Sequence, residues 1–330
     1  MKIAIIGAGA IGGYVGVKLA LAGEDVTFIV RGANLEVIRK SGMKLIMKDG
    51  TQHIAANVRA TNNYAEAGPH DVVILAMKAH QVEAVANDVP KLFAPETAVV
   101  TMQNGIPYWY FHKHGGALEG KAVHSVDPTG LIMEKIPPER VIGCVVYPAS
   151  ELVAPGVVQH IEGDRFPLGE LDGSTGERVS RICASFSKAG FKAPVLANIR
   201  AEIWLKLWGN LTFNPISALT RSTLSDICGY PLTRELATAM MTEAQAIAGK
   251  LGITFRVPLE KRIAGAEKVG RHKTSMLQDV EARREPEIDA LVGSVVELGR
   301  LTQTPTPHID TVYWLTKLLA KTIAEELEAR

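Results

Sequence analysis

The chain is 330 residues long, 47% apolar and 22% charged, a composition that buries a core and excludes disordered, collagen-like and disulfide-scaffold chains. At roughly 100–200 residues per domain, two domains are expected. Lys and Arg number 36 against 35 Asp and Glu, a net charge of +1, which gives no pull toward nucleic acid or an anionic membrane.

Residues 1–22 carry Lys2, an apolar stretch and then Ala20-Leu21-Ala22, a pattern resembling a signal segment. Gly7, Gly9, Gly12, Gly13 and Gly16 interrupt it and Val26–Val30 follows at once as a strand, so it is read as part of the fold. No segment reaches 18 unbroken apolar residues, and no membrane span is expected. Ile3–Ile6 reads as a strand, Ile11–Ala22 as a helix stopped by Gly23, and Val26–Val30 as a second strand. Asp71–Met77 is a third apolar run, Gln81–Asn87 a helix, and Thr97–Met102 a further strand. Continuous apolar strands alternating with helices mean a parallel sheet covered on both faces. Val141–Val146, Gly156–Ile161 and Phe166–Leu171 read as additional strands. Beyond Ala197 the pattern becomes helical, with Ile199–Leu219, Thr233–Lys250, Ile288–Leu301 and Asp310–Glu328. The expected fold is α/β, with a doubly wound parallel sheet over residues 1–197 and an all-helical domain over residues 198–330.

Gly7-Ala8-Gly9-Ala10-Ile11-Gly12 follows a strand and opens a helix, the context in which G-x-G-x-x-G has mechanical meaning. Gly7 permits the tight turn, Gly9 the approach of a pyrophosphate to the backbone, and Gly12 close helix–strand packing; the helix N-terminus supplies N–H donors. A dinucleotide site is expected there. After the second strand stands Arg31, with no acidic residue until Glu36. A guanidinium favours the 2′-phosphate of NADP over the ribose hydroxyl of NAD.

Glu202, Lys206, Asn210 and Asn214 recur at four-residue spacing on a helix that is otherwise apolar nearly all round. The plain reading is a seam of satisfied core polar groups. The sharper one is a cleft wall whose ammonium and carboxamides hold a substrate's oxygens, with Lys206 as general acid. Glu202, beside Arg200, reads as structural. Lys78 and Gln103-Asn104-Gly105 follow apolar strands at their carboxyl ends, where ligands of open α/β sheets bind. Ser275, Gln278, Asp279, Glu287 and Asp289 lie near helical spacing, but Pro286 breaks any face argument, and Ser275 alone could be a cap. The three cysteines, Cys144, Cys183 and Cys228, lack C-x-x-C spacing, and no histidine cluster has metal-ligand spacing. Neither a zinc site nor a disulfide framework is expected, and the cysteine usage fits a reducing, cytoplasmic setting.

Four blocks resemble the ketopantoate reductase family: Gly7–Gly12; Met77-Lys78-Ala79 with Gln103-Asn104-Gly105; Ile199–Pro215, carrying Lys206, Asn210 and Asn214; and Ser275–Asp279 with Glu287-Ile288-Asp289. The resemblance implies a Rossmann domain, a helical domain, and NADPH-dependent reduction of a 2-keto acid to a 2-hydroxy acid, with ketopantoate as the default substrate in pantothenate biosynthesis. It makes Lys206 the proton donor and puts Asn104 where nicotinamide and substrate meet. Asn210, Asn214 and Ser275 become substrate-binding positions, Glu287 the acid near cofactor and lysine, and Lys78 a lysine near the cofactor. Hydride would then reach a keto acid lying between the cofactor and the helical domain, with a hinge near Ala197. Two departures bear on the substrate. His272 stands where relatives often have Asn, and a long connection over 106–140, rich in aromatics at Tyr108-Trp109-Tyr110-Phe111, replaces a shorter one. Beside the expected pocket it could reshape the site; otherwise it is an oligomer contact or a packed surface flap. Two other readings are a β-hydroxyacid dehydrogenase relative, opposed by the Ser275–Glu287 block, and a cofactor-binding sensor without turnover, opposed by the lysine stripe. A helical domain with apolar faces fits a homodimer.

Overall fold

The computed structural model describes residues 1–328. By its contacts the chain falls into two compact units: residues 1–103, 111–122 and 129–199 form one, and residues 104–110, 123–128 and 200 onward form the other. No single cut, at residue 197 or elsewhere, separates them, because two pieces of the 106–140 connection group with the helices.

In the first unit β1 (Lys2–Ile6) leads into α1 (Ala10–Leu21), then β2 (Asp25–Ile29), α2 (Ala33–Ser41), β3 (Met43–Ile46), β4 (Gln52–Ala55) and β5 (Arg59–Thr61). After α3 (Tyr64–Ala67) come β6 (His70–Leu75), β7 (Phe93–Thr101), α4 (Leu131–Lys135), β8 (Val141–Cys144), β9 (Ala149–Ala154), β10 (Val157–Glu162), β11 (Leu168–Glu170) and α5 (Glu177–Lys188). Seven strands make one sheet in the order β11-β8-β7-β6-β1-β2-β5. Every pairing in it is parallel except that of β11 with β8. From β1 the chain runs outward through β2 to β5, then crosses to β6 on the other side of β1. The order therefore reverses between β1 and β6, and the carboxyl ends of these strands flank the crevice where such sheets bind ligands. Ile3 lies opposite both Val26 and Val72, so the apolar runs read from the sequence are the buried centre of the sheet.

A second sheet, order β4-β3-β10-β9, lies on the other side of α1, and glycines let the helix approach both. A Cβ on Gly16 would stand 2.3 Å from Phe28 Cζ and 2.8 Å from Ile5 Cδ1 of the large sheet. On Gly13 it would stand 2.4 Å from Met43 Cε and 2.6 Å from Val158 Cγ2 of the small one. The expected helix at Gln81–Asn87 is instead a set of short 3₁₀ turns, Ala79–Gln81, Glu83–Val85 and Val89–Leu92. Pro90 brings no N–H and disfavours a helical residue before it, so a continuous α-helix cannot run on toward β7.

The second unit is helical: α6 (Ile199–Thr220, from Arg200 on), α7 (Leu224–Gly229), α8 (Pro231–Lys250), α9 (Leu259–Lys268), α10 (Ser275–Glu281), α11 (Ser294–Leu301) and α12 (Pro307–Glu328). Asp289–Gly293, expected as the start of one α-helix, is a π-helical turn leading into α11. Helices α7, α9, α11 and α12 pack on α8. Trp204 and Trp208 of α6 are fully buried. The Trp204 indole donates to Tyr110 Oη at 2.7 Å, and that of Trp208 to the Met241 carbonyl at 2.8 Å. The aromatic run of the long connection is thus core rather than an oligomer contact or a surface flap: Tyr108, Trp109, Tyr110 and Phe111 are all buried. No helix among the described residues is long and apolar enough to cross a membrane.

Gly16→Val should destabilise the protein by about 1–3 kcal/mol, the range for overpacking a filled core. A fall in the urea midpoint relative to wild type checks it; an unchanged midpoint would mean that α1 is not clamped between the two sheets.

Candidate active site

The turn after β1 is built for an anion. Gly7 has φ +99°, and its N–H donates to the Ile29 carbonyl at 3.1 Å, which ties the turn to the end of β2. Gly9 caps α1 with no side chain on the first-turn N–H groups, and that turn carries no acidic residue. A Cβ on Gly9 would meet nothing within 4 Å, whereas one on Gly12 would stand 1.9 Å from the Gly7 carbonyl oxygen. Open space faces Gly9 while backbone presses on Gly12. With Ala8, Ala10 and Ile11 supplying only small or apolar side chains, the turn fits a pyrophosphate held by backbone N–H groups and helix dipole.

Arg31 stands exposed two residues beyond β2, and Gly32 after it has φ +62°. Its charge is felt by the phenol of Tyr64, which burial, then Asp88, push up to about 12, Arg31 acting in the opposite sense. Lys78, half-buried, opens the first 3₁₀ turn after β6, its N–H donating to Gln81 Oε1 at 3.2 Å. Gln103 Nε2 donates to the carbonyls of Leu75 at 2.8 Å and Met77 at 3.1 Å. It thereby ties the carboxyl ends of β6 and β7 together, a positioning role that the bare sequence signalled only as one member of a turn.

The other sequence-marked residues converge within the helical unit. Lys206 Nζ donates to Asn104 Oδ1 at 2.6 Å, and Asn104 Nδ2 donates to Glu287 Oε2 at 3.3 Å. The carboxylate orients the amide, and the amide's oxygen faces the ammonium: a charge-assisted bond at one end and a second at the other. Asn104 is held by its neighbours. Gly105 has φ +88°, and a Cβ there would stand 2.0 Å from the Ala290 carbonyl oxygen; the same carbonyl accepts from Ile106 N at 3.1 Å. Only glycine lets this turn close onto the π-turn that follows Glu287. Asn214 Nδ2 donates to Ser275 Oγ at 3.4 Å. Ser275 is the first residue of α10, whose cap is Thr274, accepting from Leu277 N; the serine hydroxyl is therefore not spent on capping. The half-buried Asn210 carboxamide hydrogen-bonds no described residue, which leaves it available to a ligand. Pro215 brings no N–H for the Leu211 carbonyl, and α6 continues through it to Thr220.

Glu202 is buried and pairs at 2.8 Å with Arg256. Arg200 Nε donates to the Tyr110 carbonyl at 2.8 Å. Phe255, beside Arg256, stacks on Trp208 at 4.0 Å between ring centroids. This clasp of Phe255 and Arg256 on α6 had no sequence signal, since it joins a loop to a helix some 50 residues away. No group of three metal-ligating side chains exists among the described residues, and the three buried cysteines form no disulfide among them.

Residues 3–173 match the family model for ketopantoate reductase PanE/ApbA, and residues 198–320 the model for its C-terminal part. A 2-dehydropantoate 2-reductase from Mesorhizobium japonicum is 54% identical over 321 residues, 97% of this chain and 98% of that protein. A crystal structure from Ralstonia solanacearum, provisionally named a ketopantoate reductase, is 43% identical with a TM-score of 0.93, covering 97% of this chain and 98% of that one. A D-mandelate dehydrogenase solved with NADH and anilino(oxo)acetate shares the fold at TM-score 0.82 and 22% identity, over 98% of this chain and all of that one. With both family models and a relative this similar spanning the chain, the protein belongs to the ketopantoate reductase family of oxidoreductases.

Proposed function

We propose that this chain reduces 2-dehydropantoate to (R)-pantoate with NADPH, in pantothenate biosynthesis, and that Lys206 is the general acid. The substrate assignment rests on the Mesorhizobium relative, at 54% identity over nearly the whole of both chains. The observation that carries the chemistry is the Lys206–Asn104–Glu287 series of hydrogen bonds.

NADPH, when bound, supplies the hydride. Its pyrophosphate would be held by the Gly7–Gly12 turn, its 2′-phosphate by Arg31, with Lys78 as a further cation for it. Hydride arriving at the keto carbon leaves negative charge on the carbonyl oxygen. The Lys206 ammonium neutralises that charge and hands over a proton, becoming a neutral amine that solvent reprotonates. This interaction is stronger in the transition state than with the neutral carbonyl, which is the condition for it to raise kcat. Asn104 fixes where the ammonium points, and Glu287 fixes Asn104 and balances the positive charge. Asn214 and Ser275 would hold the substrate's carboxylate or distal hydroxyl, and Asn210 would orient it.

The same proposal assigns cofactor binding to the first unit and substrate binding to the second. Trp314, Leu315 and Leu318, each more than half exposed, form one apolar strip on α12 and support a homodimer through that face. Sedimentation of Trp314→Glu as a monomer beside a wild-type dimer would check this. Three buried cysteines without a disulfide support a cytoplasmic protein.

The direct test is NADPH oxidation against a panel of 2-keto acids, in which 2-dehydropantoate should give the highest kcat/KM. Turnover of another keto acid in its place would keep the chemistry and overturn the substrate; no turnover of any would favour a cofactor-binding sensor. Lys206→Ala should lower kcat by about 10²–10⁴-fold, the usual worth of a general acid, while NADPH titrated by fluorescence binds as before. A variant that lost only cofactor affinity would contradict the assignment. Arg31→Ala should weaken NADPH about tenfold or more, since hydrogen bonds to charged groups contribute about 1.5–3 kcal/mol, and should leave NADH nearly unchanged. Equal affinity of the wild-type protein for both cofactors would remove the role given to Arg31.

A further inference from the structure

The Lys206–Asn104–Glu287 series ends on a backbone segment whose own support comes from elsewhere in the helical unit. Glu287 stands two residues before Asp289, the first residue of the π-turn Asp289–Gly293. Such turns are rare, single interruptions of α-helix, and need contacts that hold them. Ala290, Leu291, Val292 and Gly293 are buried, and Asp289 is the one charged residue among the five. The Ala290 carbonyl accepts twice, from Ser294 Oγ at 2.7 Å and from Ile106 N at 3.1 Å. The turn therefore carries the segment that seats Asn104, and Asp289 is where α12 takes hold of the turn.

Tyr313 Oη donates to Asp289 Oδ1 at 2.7 Å, and Lys317 Nζ, one helical turn on, donates to Asp289 Oδ2 at 2.9 Å. Burial, then the Asp289 carboxylate, push the Tyr313 phenol well above its ordinary range, so it stays a donor. Gly293 lets the ring lie against the turn: a Cβ there would stand 3.1 Å from Tyr313 Oη and 3.2 Å from Asp289 Oδ1. The two contacts differ in weight. Lys317 and Asp289 are each nearly half exposed, so their ion pair is screened and contributes little. The tyrosine bond is charge-assisted and part-buried.

We infer that Asp289, held by Tyr313, is a positioning residue for the active site. It fixes the π-turn, and through the turn both Glu287, which orients the Asn104 amide, and the Ala290 carbonyl, on which Gly105 and Ile106 rest. With that hold gone, the carboxylate and the carbonyl no longer share one frame, and the amide loses its aim at Lys206. The catalytic consequence rests on the function proposed above; the hold on the turn does not.

The experiment compares the full wild-type chain with Y313F, D289A, D289N and K317M by amide hydrogen exchange and by steady-state kinetics. Exchange at Ile106, whose N–H donates to the Ala290 carbonyl, should quicken about tenfold or more in Y313F and D289A, the loss expected for a hydrogen bond to a charged group. Amides in the middle of α8 should keep the wild-type rate. D289N leaves Tyr313 an oxygen acceptor and should restore most of the protection, and K317M should match wild type. Unchanged exchange at Ile106 in Y313F overturns the proposal. So does the same acceleration in α8, which would make the bond a general stabiliser. Given turnover of a 2-keto acid by the wild-type protein, Y313F should lower kcat by about 10–100-fold, the effect of a small misplacement of catalytic groups, with the KM for NADPH unchanged. Added to E287A, it should lower kcat by less than about twofold, because residues acting through one another are not additive. Equal losses in both backgrounds would show that Tyr313 does not act through Glu287 and overturn the positioning role. If the wild-type protein reduces no keto acid, the function proposed above fails, and exchange at Ile106 still decides the hold on the turn.

Discussion

A lysine ammonium half-buried among the apolar side chains of α6 is stabilised by an oxygen acceptor, because taking a charge out of water is costly unless it is hydrogen-bonded. That demand organises the helical unit. Asn104 Oδ1 supplies the oxygen at 2.6 Å, and Glu287 keeps the amide from turning its nitrogen to the ammonium instead. Asn104 can stand there only because the next residue is Gly105, pressed against the Ala290 carbonyl. Three segments more than 80 residues apart in the chain are therefore held to one geometry by the placement of a single positive charge.

Under the function proposed here the first unit meets the opposite demand, a ligand's negative charge reaching bare backbone. Side chains are removed wherever the chain must come close: Gly9 toward open space, Gly12 toward the Gly7 carbonyl, Gly16 and Gly13 toward the two sheets on either side of α1. The helix whose N-terminus the proposed function gives to a pyrophosphate is thus fixed from both sides. It has little freedom to tilt away from the crevice between β1 and β6.

Most of this was legible in the residues. The apolar strands, the glycine turn, the four-residue polar spacing on α6 and the Ser275–Glu287 block pointed to the sheet, the helices and the residues joined as Lys206–Asn104–Glu287 and Asn214–Ser275. What stayed hidden depends on packing across the chain. Of the small sheet only β10 was read, as Gly156–Ile161, because β3 and β4 are short and half-exposed and β9 is exposed through most of its length. Gln81–Asn87 looked helical by composition, yet the chain there forms short 3₁₀ turns, and Pro90 bars a continuous helix from running on toward β7. Residues 289–293 carry a helical pattern that cannot by itself report a π-turn. The ion pair of Glu202 with Arg256 also stayed hidden, because helix spacing says nothing of a loop folded back over the same face.

The long connection carries a consequence for how such a protein can be taken apart. Its residues 104–110 and 123–128 are built into the helical unit, where Tyr110 receives the Trp204 indole proton and Ile106 caps the Ala290 carbonyl. A gene fragment starting at residue 198 would encode the helices but leave a buried indole and a backbone carbonyl without these partners. It would also lack Asn104. Recombination among relatives at the apparent domain border would transplant a lysine without the amide that aims it. The heritable module is therefore discontinuous, and the two stretches of the connection should travel with the C-terminal half.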